Sequence, residues 1–239
     1  MFNLLPILLL GPNVILIAAA VIPAVALLIY VYRCDRLEKE SWGLIGKLVL
    51  LGVVSTIGAQ ILENLGIALL PYVAEPGSLR YNVLLFFIVV GLSEEGCKYL
   101  LLRRRTWNEP EFDCRFDGVV YACAVSLGFA LWENIAYVLS YGFGTALVRA
   151  VTAVPGHACF GVFMGAFYGA ARSARSDGEL RVSARLRRLS VVIPALLHGT
   201  YDFIAGSGQS TLWFIVFVAL MFFAASRTVK RMSARDRYI

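Results

Sequence analysis

Residues 91–100 read Gly-Leu-Ser-Glu-Glu-Gly-Cys-Lys-Tyr-Leu and lie inside an otherwise apolar run from Tyr81 to Leu102. A run of that length crosses a bilayer as one helix. Glu94, Glu95 and Lys98 interrupt it, and an isolated charge near mid-membrane costs about 2.5–3.5 kcal/mol. A membrane helix carries such groups when they face a polar interior, so the stretch predicts a span packed among other spans around a site. On a helix Glu94 and Glu95 both reach Lys98. One carboxylate is then expected to pair with the ammonium, leaving the other free as a base. A buried ion pair that only fixes helix packing is the alternative.

The flanking sequence decides the fold class. The chain has 239 residues, 59% hydrophobic and 16% charged, with a mean hydropathy of +0.73. Soluble domains carry about 25% charged residues. The expectation is an all-α polytopic membrane bundle, a single membrane domain over 1–239. Apolar runs predict seven spans at 13–32, 43–71, 81–102, 117–141, 150–171, 189–205 and 211–226. Pro6, Pro12 and Pro23 interrupt the first run. Ala24-Val25-Ala26 imitates a signal-peptidase site, but no Lys or Arg precedes the run and it continues to Tyr32, so a retained span is expected.

The net charge of +6 sits mostly in short Lys/Arg clusters between apolar runs. That is the signature of topology signals, not of a nucleic-acid surface; the expected partner is the lipid bilayer. Segments after spans one, three, five and seven are rich in Arg and Lys. Those after spans two and four carry Arg80 and Arg149, and the one after span six carries none. This alternation predicts an N-terminus outside and a C-terminus in the cytoplasm. Cys34, Cys97, Cys114, Cys123 and Cys159 form no C-x-x-C pair and are expected to be free thiols. Cys97 and Cys159 lie near polar positions; apolar filling is the leading reading for both, with metal ligation behind it.

Further polar residues recur at similar depth in other spans. Gln60, Glu63 and Asn64 share a face of span two, where helix–helix hydrogen bonding is the first reading and site lining the second. Span four carries Glu133 and Asn134, with Tyr137 one turn on as a candidate hydrogen-bond partner for Glu133; its Gly118, Ala122 and Ser126 form a small-residue face. In span five His157 follows Pro155-Gly156 and precedes Gly161, Gly165 and Gly169, an extended small-x-x-x-small seam. Pro155 is expected to open the helix beside the imidazole. In span six His198 and Asp202 share a face, so the carboxylate can orient the imidazole. Glu63, Glu94, Glu95, Lys98, Glu133 and Asp202 as isolated charges would cost on the order of 15–20 kcal/mol. One shared polar cavity is the economical expectation. Such a cluster can activate water, with a carboxylate as base and imidazoles as orienting groups. Two His with one or two carboxylates also suit a divalent metal such as zinc, the donors then being His157, His198, Glu94 and Glu133. There is no H-E-x-x-H and no G-x-S-x-G. A proton relay in a coupled transporter would use similar residues.

Glu94-Glu95-x-x-Lys98, Phe116-Asp117-Gly118 with Tyr121, Gly128-Phe129-Ala130-x-x-Glu133-Asn134, His157 with Gly165, and His198-x-x-x-Asp202 together resemble the PrsW family of intramembrane proteases. The resemblance covers about 81–205, the expected catalytic core. It extends to the wider group of CAAX prenyl endopeptidases and bacterial immunity-type membrane proteins, from whose patterns Lys98, Glu133 and Asp202 depart towards PrsW. It implies a multi-pass protease of the bacterial cytoplasmic (inner) membrane, glutamate- or metal-dependent. The implied substrate is a single-span membrane-anchored regulator such as an anti-sigma factor. Carried over by residue, Glu94 is the water-activating base, with Glu95 the other candidate; Glu95 pairs with Lys98. His157 and His198 orient water, bind metal or stabilise the oxyanion. Glu133 and Asn134 complete the cavity, and Asp202 orients His198. A non-catalytic scaffold or immunity protein is the alternative the wider group contains.

Overall fold

The computed structural model describes residues 12–206 and 210–239; Pro6 lies outside them. Helix α1 spans Pro12–Cys34 and α2 Trp42–Leu69. Ser41 caps α2, its hydroxyl accepting the Leu44 N–H at 3.2 Å. A 3₁₀ turn, Leu70–Tyr72, ends it at Pro71. The expected third span is a rod in three parts: α3 (Leu79–Val83), a π-helical segment (Leu84–Leu92) and α4 (Ser93–Thr106). Then come α5 (Asp117–Tyr141), α6 (Phe143–Val151), α7 (Ala153–Ser176), α8 (Leu180–Gly206) and α9 (Thr211–Ala234).

The protein is all-helical and built to sit in a membrane. Among the described residues six helical stretches are long and apolar enough to cross one: α1, α2, α5, α6 with α7, α8 and α9. The α3–α4 rod is the seventh helix, its apolar run broken by Glu94, Glu95 and Lys98. Helix α5 is the core: 72% of its apolar window is buried, against 22% for α1 and α9. It packs on α7, α2 and α1, while α7 and the π-helical segment pack on α8. Outward faces are apolar, as lipid requires: Ile57, Ile61, Leu65 and Leu69 on α2, and Trp213, Leu220 and Phe223 on α9, are exposed.

Close helix approach comes from glycine. A Cβ on Gly165 would overlap the Gly118 carbonyl, and one on Gly169 the Arg115 carbonyl. The seam of α7 therefore lies on the small-residue face of α5, as its spacing predicts. Gly52 and Gly128 do the same for α2 on α5, against Val125 and Val49.

One end of the bundle gathers the four basic segments. The Ser233 hydroxyl donates to the Cys34 carbonyl, the Phe116 N–H to Asp236 at 2.8 Å, and Arg237 to Ser173 at 2.9 Å. One local expectation is corrected. Pro155 sits in the first turn of α7, which begins at Ala153. A missing N–H there costs no helical hydrogen bond, so Pro155 does not open the helix beside His157. The break falls before it, at Thr152.

Candidate active site

The π-helical segment delivers the acidic pair. Each π turn closes i→i+5 and is wider than an α turn, a rare geometry that is frequent at functional sites. Gly91 lets the segment lie on the backbone of α8 at Ala195 and Gly199, while Gly199 accommodates Phe87. This close crossing sets Glu94 and Glu95, at the start of α4, beside His198 of α8.

Lys98 is the hub. Its ammonium is fully buried and donates to Glu95 Oε1 at 2.7 Å and Glu94 Oε2 at 3.1 Å. It also lies 3.1 Å from His157 Nδ1 and 3.9 Å from the centre of the Phe129 ring. An ammonium only donates, so His157 Nδ1 accepts and its Nε2–H points at Glu133 Oε2, 2.9 Å away. His198 Nδ1 lies 3.0 Å from Glu95 Oε1 and 3.7 Å from Glu94 Oε2; its Nε2 lies 3.4 Å from Asp202. The Phe160 ring stacks on His198 at 4.7 Å. Arg149 of α6 closes the chain, donating to Glu133 at 2.9 Å and to Asn134 Oδ1 at 3.0 Å, with its guanidinium 4.0 Å from the Tyr137 ring centre. The isolated-charge cost is thus offset by pairing.

The cluster opens on a cleft with two lobes. One, about 550 Å³, lies between α2 and α5 and includes Gln60 and Trp132 in its wall. The other, about 400 Å³, is walled by Arg149, His157, His198 and Asp202 among others. Glu63, Glu94, Glu133 and Tyr137 border both. Glu95 borders neither and is fully buried.

Glu94, Glu95, Lys98, Glu133, His157, His198 and Asp202 converge as their depth suggested. Several details differ. Lys98 bonds both carboxylates, so neither is left unpaired. Glu133 is held by Arg149 and His157, and no bond from the Tyr137 phenol reaches it among the described residues. Asn134 stands behind the wall, donating to the Ala20 carbonyl of α1 at 3.0 Å and accepting from Arg149. Glu63 and Gln60 line the cleft, whereas Asn64 bonds Gln60 at 3.3 Å. Arg149 escaped the sequence reading, which treated it only as a topology signal; a lone Arg in an otherwise uncharged segment was the available clue.

The donors suit a metal. Glu94, His157 and His198 each offer a ligand atom, all within 4.8 Å of one another. Two imidazoles and a carboxylate match the three-ligand, open-position pattern of catalytic zinc. Glu133, the fourth expected donor, falls outside this set, and so do Cys97 and Cys159. All five cysteines are free thiols.

The model of a family described as PrsW family intramembrane metalloprotease matches residues 40–226. The chain belongs to the PrsW family. It is 32% identical over 218 residues to a protein named Protease PrsW from Bacillus subtilis (strain 168), covering 90% of this chain and 94% of that one. It is 34% identical over 223 residues to one of the same name from Geobacillus kaustophilus (strain HTA426), covering 93% and 94%. No solved structure gives a significant match. Membership makes the chain a multi-pass protease of the bacterial inner membrane, which decides against the scaffold and transporter readings. The PrsW match takes in every residue of the cluster, while the whole of α1, which supplies the Ala20 carbonyl to Asn134, precedes it.

Proposed function

We propose that the protein hydrolyses a peptide bond in or near the membrane within a single-span, membrane-anchored regulator such as an anti-sigma factor, with Glu94 as the water-activating base. The observation that carries this is the position of Glu94: of the acidic pair it alone borders the cleft, and its Oε2 lies 3.7 Å from His198 Nδ1.

In this reading residues 81–205 form the catalytic core. The substrate segment lies in the cleft against Glu63, Glu133 and Tyr137. Glu94 takes the proton of a water as its oxygen attacks the scissile carbonyl, and returns that proton to the leaving amine. His157 and His198 orient the water, each exchanging its Nε2 contact, with Glu133 and Asp202 respectively, for the developing oxyanion. Glu95 anchors Lys98 and His198, and Asp202 holds the far nitrogen of His198. Arg149 and Asn134 fix Glu133, which fixes His157. A divalent metal, when bound, would be held by Glu94, His157 and His198 in place of the Lys98 contacts to Glu94 and His157, with Glu94 then a ligand and not the base, and would act as a Lewis acid that acidifies water.

The N-terminus lies outside and the C-terminus in the cytoplasm. Convergence of the four basic segments at one end of the bundle supports this orientation.

The test uses purified wild type and Glu94→Gln, Glu95→Gln, His157→Ala and His198→Ala in proteoliposomes, with a panel of single-span peptides, with and without a chelator. The expected result is cleavage by wild type and its loss in the Glu94 and both His variants; the chelator arm separates metal from glutamate catalysis. Equal cleavage by all five proteins refutes the assignment.

A further inference from the structure

A second acidic cluster lies at the basic end of the bundle, away from the cleft. Asp35 and Glu40 belong to the α1–α2 connection and Asp117 to the first turn of α5. Each offers a carboxylate oxygen, all within 4.8 Å of one another, and all three residues are buried. Asp35 is only 2% exposed, and neither of its carboxylate oxygens has a hydrogen-bond partner. None of the three forms an ion pair among the described residues. The nearby Lys39 ammonium donates instead to the backbone carbonyls of Tyr32 and Asp35.

The other two carboxylates are held in place by neutral donors. The Tyr121 hydroxyl donates to Glu40 Oε2 at 2.7 Å, and the Asp113 and Cys114 N–H groups to Asp117 Oδ2 at 3.1 and 2.6 Å. Buried carboxylates are normally paired or coordinate a metal. Here they are aimed at one another and fixed without a cation. We infer that Asp35, Glu40 and Asp117 form an oxygen-donor site for one hard divalent cation, Mg²⁺ or Ca²⁺. All-oxygen ligation selects this class over zinc. Burial first, with neighbouring carboxylates adding to it, holds Asp35 up to about 6 against the opposing pull of Lys39, and Glu40 up to about 7 against the hydrogen bond from Tyr121.

The bound cation staples the α1–α2 connection to the start of α5. The C-terminal segment docks alongside: Asp236 accepts the Phe116 N–H, and the Ile239 N–H donates to the Asp113 carbonyl at 2.7 Å. This inference stands apart from the proposed catalytic roles, since it uses none of the cleft residues.

The full chain is purified in detergent, stripped with EDTA, and its thermal unfolding followed without divalent ions and with Mg²⁺ or Ca²⁺ at about 5 mM, above the Kd of weak calcium modules (about 10⁻⁴–10⁻³ M). The expected result is a rise in wild-type Tm of about 3 °C or more. Asp35→Asn loses no hydrogen bond, so it should fold, match or exceed wild type in EDTA, and show no rise. His198→Ala should keep the rise, separating this site from the cleft. Limited proteolysis of the C-terminal segment, slowed by the cation in wild type, is a second readout that needs no variant. No rise and no protection in wild type, or an equal rise in Asp35→Asn, overturns the inference and leaves the carboxyls as proton-sharing groups.

Discussion

Two acidic clusters are mounted on α5, one at Asp117 and one at Glu133, about 24 Å further along at 1.5 Å per residue. They solve burial in opposite ways. At the Glu133 end the carboxylates of Glu94, Glu95, Glu133 and Asp202 meet Lys98, Arg149, His157 or His198. At the Asp117 end the carboxylates meet phenol and peptide N–H groups. The first cluster carries its own counter-charges and can face an open cleft within the membrane. The second is closed and lacks them, which suits a site completed from outside. The same residue type thus marks two kinds of site, and the partners tell them apart.

The sharpest way to break this contrast is to remove a charge from each cluster. Lys98→Met leaves two buried carboxylates without their cation and should destabilise the fold by about 3–5 kcal/mol. Thermal unfolding in the same detergent measures it. Asp35→Asn in EDTA should cost nothing. If Lys98→Met were equally harmless, the pairing at the cleft would not be what supports those carboxylates.

Arg149 comes next. It ties α6 to Glu133, and its charge-assisted bonds are worth about 1.5–3 kcal/mol each at most. Arg149→Gln should lower kcat/KM about 10–100-fold by freeing Glu133 and hence His157, with a smaller effect on Tm. Peptide cleavage assays decide this, and unchanged kcat/KM would reduce Arg149 to a topology signal.

Much of this was legible in the sequence, and the gaps have physical causes. The helical class, the polar cluster and the α5–α7 glycine seam all follow from periods near 3.6 and from the cost of charge in lipid. The π-helical stretch Leu84–Leu92 did not, because a uniformly apolar run has no period to betray an i→i+5 register. Nor did the roles of Arg149 and of the Asp35–Glu40–Asp117 cluster. Arg149 reaches Glu133 only because Gly142, at φ +82°, lets α6 turn back on α5. Asp35 and Asp117 are distant in sequence and meet only once α1, α2 and α5 are packed.

Smaller effects refine the comparison. Gly165→Ala forces a methyl onto the Gly118 carbonyl and should cost about 1–3 kcal/mol by overpacking, seen as a lower Tm in both clusters' backgrounds. Cys97→Ser and Cys159→Ala should leave kcat/KM within about twofold, since neither thiol joins a group of candidate ligands. A larger loss would place sulfur in the site.

The most direct measurement is the single-turnover cleavage rate of one single-span peptide by Glu94→Gln and Glu95→Gln side by side in proteoliposomes. A base in the cleft should be worth about 10²–10⁴-fold. The cleft-facing position of Glu94 predicts that Glu94→Gln loses that much, while Glu95→Gln, acting through Lys98 and His198, loses at least tenfold less. The reverse order, or equal losses, would contradict Glu94 as the base.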